Sequence, residues 1–143
     1  MTKSIQEIEE EIVDEFSLFD EWMEKYEFII EMGQNLPGLP DSDKTADHIV
    51  HGCQSQVWLW AEMIGDRLIF RADSDAIITK GLIAMLIRVL SQQTPQEVLE
   101  AKLAFIDRIG MREHLSPTRS NGLNAMIKKM KNYALAFSMR HPN

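Results

Sequence analysis

The segment 77–90 constrains the fold of this chain more than any other stretch. Its apolar side chains fall on nearly every side of a helix, so little polar face is left. A helix of this kind must be covered by other elements, and it is predicted to be the central helix packed on a sheet. Asp73 or Ser74 is expected to cap its start. Gly81 lies inside it at a cost of about 1 kcal/mol relative to alanine, which indicates close approach by another backbone.

Three short strands are predicted before this helix, at residues 47–50, 56–64 and 67–72. Gly65 and Asp66 separate the last two strands and suit a tight hairpin turn, because glycine tolerates positive φ. The sheet is therefore expected to be small, antiparallel and three-stranded.

Helices are predicted ahead of the strands. Between residues 4 and 34 the apolar residues recur at spacings of three and four, which indicates two amphipathic helices with a break near residues 14–18. The following segment 36–44 contains two prolines and a glycine, so it is expected to be a loop.

Two more helices are predicted after the central one. A short helix should begin at Thr94-Pro95, because proline suits the first turn. A last helix should begin around Ser116-Pro117 or Ser120 and run to about Ser138, with an irregular start near Gly122. Helices and strands segregated in this order indicate an α+β fold.

The 143 residues, of which 45% are hydrophobic, suffice for one core and are too few for two, so a single domain over residues 1–143 is expected. No stretch has the roughly 18 apolar residues needed to cross a bilayer. The polar start of the chain also lacks the basic-then-apolar order of a secretory signal. A cytoplasmic protein without a membrane segment is therefore expected.

The charge of the chain argues against one class of partner. A net charge of −7 makes nucleic acid an unsuitable ligand, because affinity for phosphates needs a surplus of Lys and Arg. The charge is also uneven: residues 1–31 hold eleven acids and two bases, and residues 102–143 hold eight bases and two acids. The two ends could attract each other, but two solvated helix faces are the simpler interpretation.

Cys53 is the only cysteine of the chain and its strongest candidate nucleophile. One cysteine cannot form an intramolecular disulfide, a structural zinc site or a CxxC pair, so any thiol chemistry must be completed by a partner. Its neighbours Gly52 and Ser55 place it in a polar connection between the first two predicted strands, at or near a hairpin tip. A lone free cysteine is usually a small buried hydrophobe with a structural role, but its place in a polar connection makes that interpretation less favoured here.

The histidines suggest two other roles for the region. His48 or His51 could act as the general base of a cysteine hydrolase, although a turn at Gly52 gives no guarantee that either faces the thiol. With His114 and His141, the four histidines show no metal-binding spacing, so no metal site is expected.

Three blocks of the sequence follow one another along nearly the whole chain. The first is GCQSQVW at 52–58, and the second is ADSDAII at 72–78 continued by KGLIA at 80–84. The third is LSPTRSNGL at 115–123. Together these blocks resemble the SufE family, with which the N-terminal helices agree in character only.

The resemblance implies an α+β fold shared with the cluster scaffold IscU, with Cys53 matching the acceptor cysteine on a loop beside the sheet. It implies that a SufS-type cysteine desulfurase, using pyridoxal phosphate, provides sulfur that Cys53 carries as a persulfide to the SufBCD complex. In this role the chain is not an enzyme but a partner that stimulates the desulfurase, and it binds no cofactor itself. A lone thiolate cannot hold a cluster as a scaffold does. It also cannot lose the carried sulfur by forming a disulfide with a second thiol.

Two alternatives stay open. The chain could be a non-catalytic interaction module with a structural cysteine, or the related CsdE-type acceptor, although residues 54–56 resemble SufE more closely. A weak homodimer is compatible with an exposed apolar docking patch.

Some expectations concern the surroundings of the thiol. Trp58 and Trp60 alternate along a strand and should project to the same side of the sheet. Cys53 is expected to be sheltered against Trp58 in the free protein and to swing outward on docking, with Gly81 leaving room for the loop. Arg119 could serve in docking or in the structure, and an internal hydrogen bond of its side chain is the favoured expectation.

Overall fold

The computed structural model describes residues 3–140 and has an α+β fold, which confirms the predicted class. The sheet consists of two antiparallel strands, β1 (Val57–Ile64) and β2 (Arg67–Ser74). The described part of the chain contains seven α-helices: α1 (Ile5–Phe16), α2 (Trp22–Gln34), α3 (Ile77–Leu90), α4 (Pro95–Glu100), α5 (Phe105–Arg108), α6 (Met111–His114) and α7 (Pro117–Arg140). Short 3₁₀ turns at Asp41–Asp43 and Ala46–His48 precede β1.

The two predicted N-terminal helices are confirmed, with the break at residues 17–21. Ser4 caps α1, because its hydroxyl accepts a hydrogen bond from the Glu7 amide at 3.1 Å and the Glu7 carboxylate accepts one from the Ser4 amide at 3.3 Å. The apolar face of α1 buries Ile12 and Phe16 in the core.

The helices α2 and α3 cross at a pair of glycines. A Cβ atom on Gly81 would lie 2.1 Å from the Ile29 carbonyl oxygen, and one on Gly33 would lie 2.7 Å from the Gly81 nitrogen. The close backbone approach predicted at Gly81 is confirmed. The expectation that Gly81 leaves room for the Cys53 loop is wrong, because α2 fills that space.

The hairpin of β1 and β2 has the predicted turn, with Gly65 at a φ of 62°. Leu59 pairs with Ala72 on the face that packs on the core, and Trp58 pairs with Asp73. This places Trp58 and Trp60 together on the other side of the sheet, as alternation predicts.

The predicted first strand at 47–50 is wrong, and the sheet has two strands instead of three. This segment makes one bridge to the sheet, Ile49 to Trp58, followed by a hydrogen bond from the Val50 amide to the Val57 carbonyl at 2.8 Å. The Lys129 ammonium of α7 donates to the Ile49 carbonyl at 2.9 Å and to the Asp47 carbonyl at 3.5 Å. The segment therefore meets β1 at a single bridge, and its Asp47 and Ile49 carbonyl groups accept hydrogen bonds from α7, so it does not form a third strand.

The central helix starts later than predicted, at Ile77, and has Ala76 at its N-cap without a side-chain cap. Asp73 belongs to β2, where its buried carboxylate accepts hydrogen bonds from the Leu39 amide at 3.1 Å and the Ser74 amide at 2.8 Å. The same carboxylate forms an ion pair with Lys80 at 3.3 Å. Asp73 thus joins three elements and cannot serve as the cap of α3.

The core lies around α3, as its apolar sequence predicts. Most of α3 is buried between α2, the inner face of the sheet and the buried residues Leu123, Met126 and Met130 of α7. Within residues 3–140, none of the helices combines the length and apolar character that crossing a bilayer would take.

The two predicted C-terminal helices are present. Thr94 caps α4 in a reciprocal arrangement with Glu97, and Pro95 is its first residue. The last helix, α7, runs unbroken from Pro117 to Arg140. An irregular start near Gly122 is therefore wrong.

The acidic N-terminal helix α1 is partly neutralised by arginines from other elements. Arg88 of α3 makes two hydrogen bonds to the Glu15 carboxylate, at 2.7 and 2.5 Å, and Arg108 of α5 pairs with Glu10. The acidic start and the basic C-terminal third thus meet at the Arg108 ion pair.

Candidate functional site

The loop that carries Cys53 is fixed at both ends. Before it, the Val50 amide donates to the Val57 carbonyl. After it, the Gln56 amide donates to the Asp75 carboxylate at 3.1 Å, and the Ser74 hydroxyl donates to the Gln56 carbonyl at 2.8 Å. The loop therefore leaves and rejoins the sheet at neighbouring points, which places Cys53 on a hairpin-like turn as predicted.

Gly52 gives this loop its shape. Its φ of 99° lies in the left-handed region, which side chains other than glycine rarely adopt. A Cβ atom on Gly52 would also lie 3.2 Å from the Cβ of Ala125 in α7. The residue before the thiol therefore allows both the turn and a close pass over α7.

Cys53 is half-buried, with its sulfur against the second turn of α7. Its thiol donates a weak hydrogen bond to the Gly122 carbonyl oxygen at 3.5 Å. A Cβ atom on Gly122 would lie 3.3 Å from that sulfur, so the absence of a side chain at Gly122 makes the space in which the thiol sits.

The thiol opens into a cavity of about 540 Å³ at the protein surface. Three segments line it: the Cys53 loop, the first turn of α3 from Ala76 to Thr79, and the start of α7 from Ser116 to Gly122. Trp58 does not belong to this lining. The expected shelter is therefore present, but α3 and α7 build it and the tryptophan does not.

Burial raises the pKa of the Cys53 thiol above its ordinary value. In the free protein the sulfur is therefore held as the neutral thiol at neutral pH, and only a small fraction is the nucleophilic thiolate. This state protects the thiol from oxidation and makes its reactivity depend on a change in its surroundings.

The histidines are not arranged as a base for this thiol. The His48 ring stacks on Trp60 with centroids 3.4 Å apart, and its Nδ1 lies 2.7 Å from the Thr45 hydroxyl. His51 is exposed, and within residues 3–140 neither imidazole hydrogen-bonds to Cys53. The geometry gives no support to a cysteine hydrolase.

Nor does any cluster of three or more His, Cys, Asp or Glu side chains suited to a metal occur within residues 3–140. His141 lies outside the described residues.

Arg119 differs from its predicted role. It lies in the first turn of α7, is exposed, and lines the Cys53 cavity. Its backbone amide donates to the Ser116 hydroxyl at 3.2 Å, while its guanidinium makes no hydrogen bond or ion pair within residues 3–140. The expected internal hydrogen bond of this side chain is therefore not formed.

Sequence reasoning missed two residues that shape the cavity, Gly122 and Thr79. A glycine in the second turn of a helix is a signal of close contact, because alanine would be the better helix former there. The role of Thr79 leaves no such signal, since its position next to the Cys53 cavity depends on how α3 packs.

A sheltered single thiol on an anchored loop of a small α+β domain is the main feature of this site. Known proteins resemble this chain in sequence and in fold. The family model SufE, described as an Fe-S metabolism associated domain, matches residues 10–134. An uncharacterised SufE-like protein of Rhizobium meliloti (strain 1021) is 39% identical over an alignment of 130 residues, and the match covers 87% of this chain and 93% of that protein.

The chain belongs to the SufE family, which connects it with iron–sulfur metabolism. A solved structure agrees in fold: the solution structure of a hypothetical protein from Thermus thermophilus has a TM-score of 0.75, covers 90% of this chain and 94% of its own, and is 20% identical. The family resemblance seen in the three sequence blocks is thereby confirmed.

Proposed function

We propose that this protein accepts sulfur from a SufS-type cysteine desulfurase as a persulfide on Cys53 and passes it to the SUF cluster assembly complex, SufBCD. The observation that carries the proposal is the placement of the only cysteine in an open cavity on an anchored loop, in a chain of the SufE family. The single domain expected over residues 1–143 would act as one carrier.

The transfer step follows from thiol chemistry. The Cys53 thiolate attacks the terminal sulfur of the desulfurase persulfide, forming a new S–S bond. The bond between that sulfur and the desulfurase cysteine breaks, and the desulfurase leaves as a thiolate. No oxidant is needed, because one persulfide is exchanged for another. The pyridoxal phosphate that releases sulfur from free cysteine belongs to the desulfurase, and this chain acts as its acceptor and activator.

Docking provides the change in surroundings that Cys53 needs. In the free protein the raised pKa keeps the thiol neutral, so a partner that releases its contact with Gly122 and reduces its burial would increase the thiolate fraction and speed the attack. Beside the cavity, Ile77 exposes 66% of its surface and offers an apolar contact for the partner. The same patch is compatible with a weak homodimer. A cytoplasmic location suits a carrier whose lone thiol must stay reduced.

The rate of alanine formation by the desulfurase tests the proposal. Purified desulfurase with cysteine and pyridoxal phosphate is assayed alone, with this protein, and with its Cys53→Ser variant. We expect the wild-type protein to accelerate alanine formation and Cys53→Ser to leave the basal rate unchanged, because serine cannot accept the sulfur. Equal stimulation by both proteins would refute the acceptor role and favour an interaction module.

A parallel assay separates the two related partners. The same measurement with the different desulfurase that CsdE-type acceptors serve should give weaker stimulation than with the SufS-type enzyme. The reverse order would identify the chain as a CsdE-type acceptor.

A further inference from the structure

Thr79 is a buried polar residue that faces the Cys53 cavity. It is only 8% exposed and is the third residue of α3. Its hydroxyl makes no hydrogen bond within residues 3–140. Every fully enclosed side-chain oxygen or nitrogen among those residues has a hydrogen-bond partner, so the unpartnered Thr79 hydroxyl is accessible, and Thr79 lines the Cys53 cavity. The residue is largely buried, but its hydroxyl is accessible from the cavity and has no protein partner within the described part of the chain, so it is available to a group that occupies the cavity.

The backbone around Thr79 offers further donors. The N-cap of α3, Ala76, makes no side-chain cap, and the first hydrogen bond of the helix runs from the Lys80 amide to the Ala76 carbonyl. The amides of Ile77, Ile78 and Thr79 are the first-turn donors that a helix leaves unpaired. These three residues all line the cavity, and the N-terminus of a 14-residue helix favours negative charge.

The cavity has room for one more sulfur on Cys53. The thiol now lies against the Gly122 carbonyl, which repels negative charge. A second sulfur would extend about 2 Å from the first, into a cavity of about 540 Å³. Arg119 is the one charged residue among the described residues that line the cavity, and its charge also favours an anion.

We propose that the Thr79 hydroxyl and the first-turn amides of α3 form a cradle that holds the terminal sulfur of a Cys53 persulfide as an anion. The inference rests on the proposed function and adds a positioning residue to it. The thiol and the persulfide then occupy different surroundings: the thiol is kept neutral beside Gly122, and the outer sulfur is kept ionised and sheltered beside Thr79. The protein would thus store sulfur in a reactive form within the cavity.

The pH dependence of persulfide alkylation tests the cradle without the desulfurase. Inorganic polysulfide loads Cys53 directly: the thiolate attacks a sulfane sulfur, and the polysulfide leaves one sulfur shorter with the electron pair. The loaded protein is treated with iodoacetamide across a range of pH, and intact mass gives the rate for the persulfide and for the remaining thiol. Thr79→Val removes the hydroxyl, and Thr79→Ser retains it.

We expect Thr79→Val to raise the apparent pKa of the persulfide by about one unit. The ionisation constant of the persulfide would then fall tenfold, which corresponds to about 1.4 kcal/mol. Thr79→Ser should restore the wild-type value, and the pKa of the unloaded thiol should move much less. Thr118→Val is the matched control, because Thr118 is an exposed threonine of the same cavity. Thr79→Ala gives the same comparison if valine prevents folding.

Two results would overturn the cradle. A persulfide that titrates alike in wild type and both hydroxyl-free variants would show that Thr79 does not hold the sulfur. A wild-type Cys53 that takes no sulfur from polysulfide or from an active SufS-type desulfurase would refute the proposed function as well, so the two failures are distinguishable.

Discussion

Replacing Gly122 by alanine probes how the cavity holds the Cys53 thiol. The new Cβ atom would lie 3.3 Å from the Cys53 sulfur, a contact tight enough that one partner must shift by a few tenths of an ångström, and at an ordinary 3.8 Å from the Cys53 Cβ. The cysteine is the partner that moves, because it lies on a loop while Gly122 lies inside a helix. The thiol should therefore be displaced toward the mouth of the cavity.

The size of the effect follows from two opposing contributions to the free energy of unfolding. Alanine stabilises a helix interior by about 1 kcal/mol relative to glycine. Crowding a well-packed site costs about 1 kcal/mol or more. We expect the net change to stay within about 1 kcal/mol. The displaced Cys53 thiol should lose part of the burial that raises its pKa and react with iodoacetamide roughly three to ten times faster at pH 7.

Gly81→Ala is the contrasting variant for this experiment. Its Cβ would lie 2.1 Å from the backbone oxygen of Ile29, which cannot move aside, so the free energy of unfolding in urea should fall by about 2 kcal/mol or more. If Gly122→Ala kept the wild-type alkylation rate while gaining the full helix stabilisation, Cys53 would not be held against Gly122 and the reasoning would be refuted.

Two further predictions concern pH. Burial raises the pKa of the Asp73 carboxyl, but hydrogen bonds from the Leu39 and Ser74 amides and from Lys80 outweigh it and leave the pKa below its ordinary value. Asp73→Asn should therefore cost about 2 kcal/mol in urea unfolding at pH 7, and this difference should shrink as pH falls below about 4; a difference unchanged down to pH 3 would contradict it. Because burial raises the pKa of the Cys53 thiol, its alkylation at pH 8 should be slower in the native protein than in urea, and the stability of the wild type relative to Cys53→Ser should fall as pH rises above about 9. Equal native and denatured rates would show that the thiol is not sheltered.

The helices of this protein could be predicted because their signals are local. The spacing of apolar residues in α1 and α2, and the Thr94-Pro95 start of α4, depend on neighbours within one or two turns. The apolar sequence of α3 likewise required a central position, whatever elements cover it.

The errors arose where distant residues decide the local structure. The segment 47–50 has the composition of a strand, but two of its carbonyl groups accept hydrogen bonds from Lys129, which lies about 80 residues further along the chain. Asp73 has the residue type of a helix cap, but the Leu39 amide and Lys80 hold it in β2. Neither partner can be identified by spacing along the sequence.

The sequence identifies the cysteine of the candidate site, but it does not identify the residues that line the cavity around it. Cys53 is the only cysteine, and a polar loop around it is visible in the sequence. That its shelter consists of Gly122 and the first turn of α3, rather than Trp58, depends on how α3 and α7 pack against each other.

The mass of the intact protein after incubation with a SufS-type desulfurase, pyridoxal phosphate and cysteine tests the central claim most directly. We predict a gain equal to one sulfur atom that reductant reverses and that Cys53→Ser does not show. An unchanged mass, with the desulfurase demonstrably active, would contradict sulfur transfer to Cys53 and leave the chain with the fold of the SufE family but without this function.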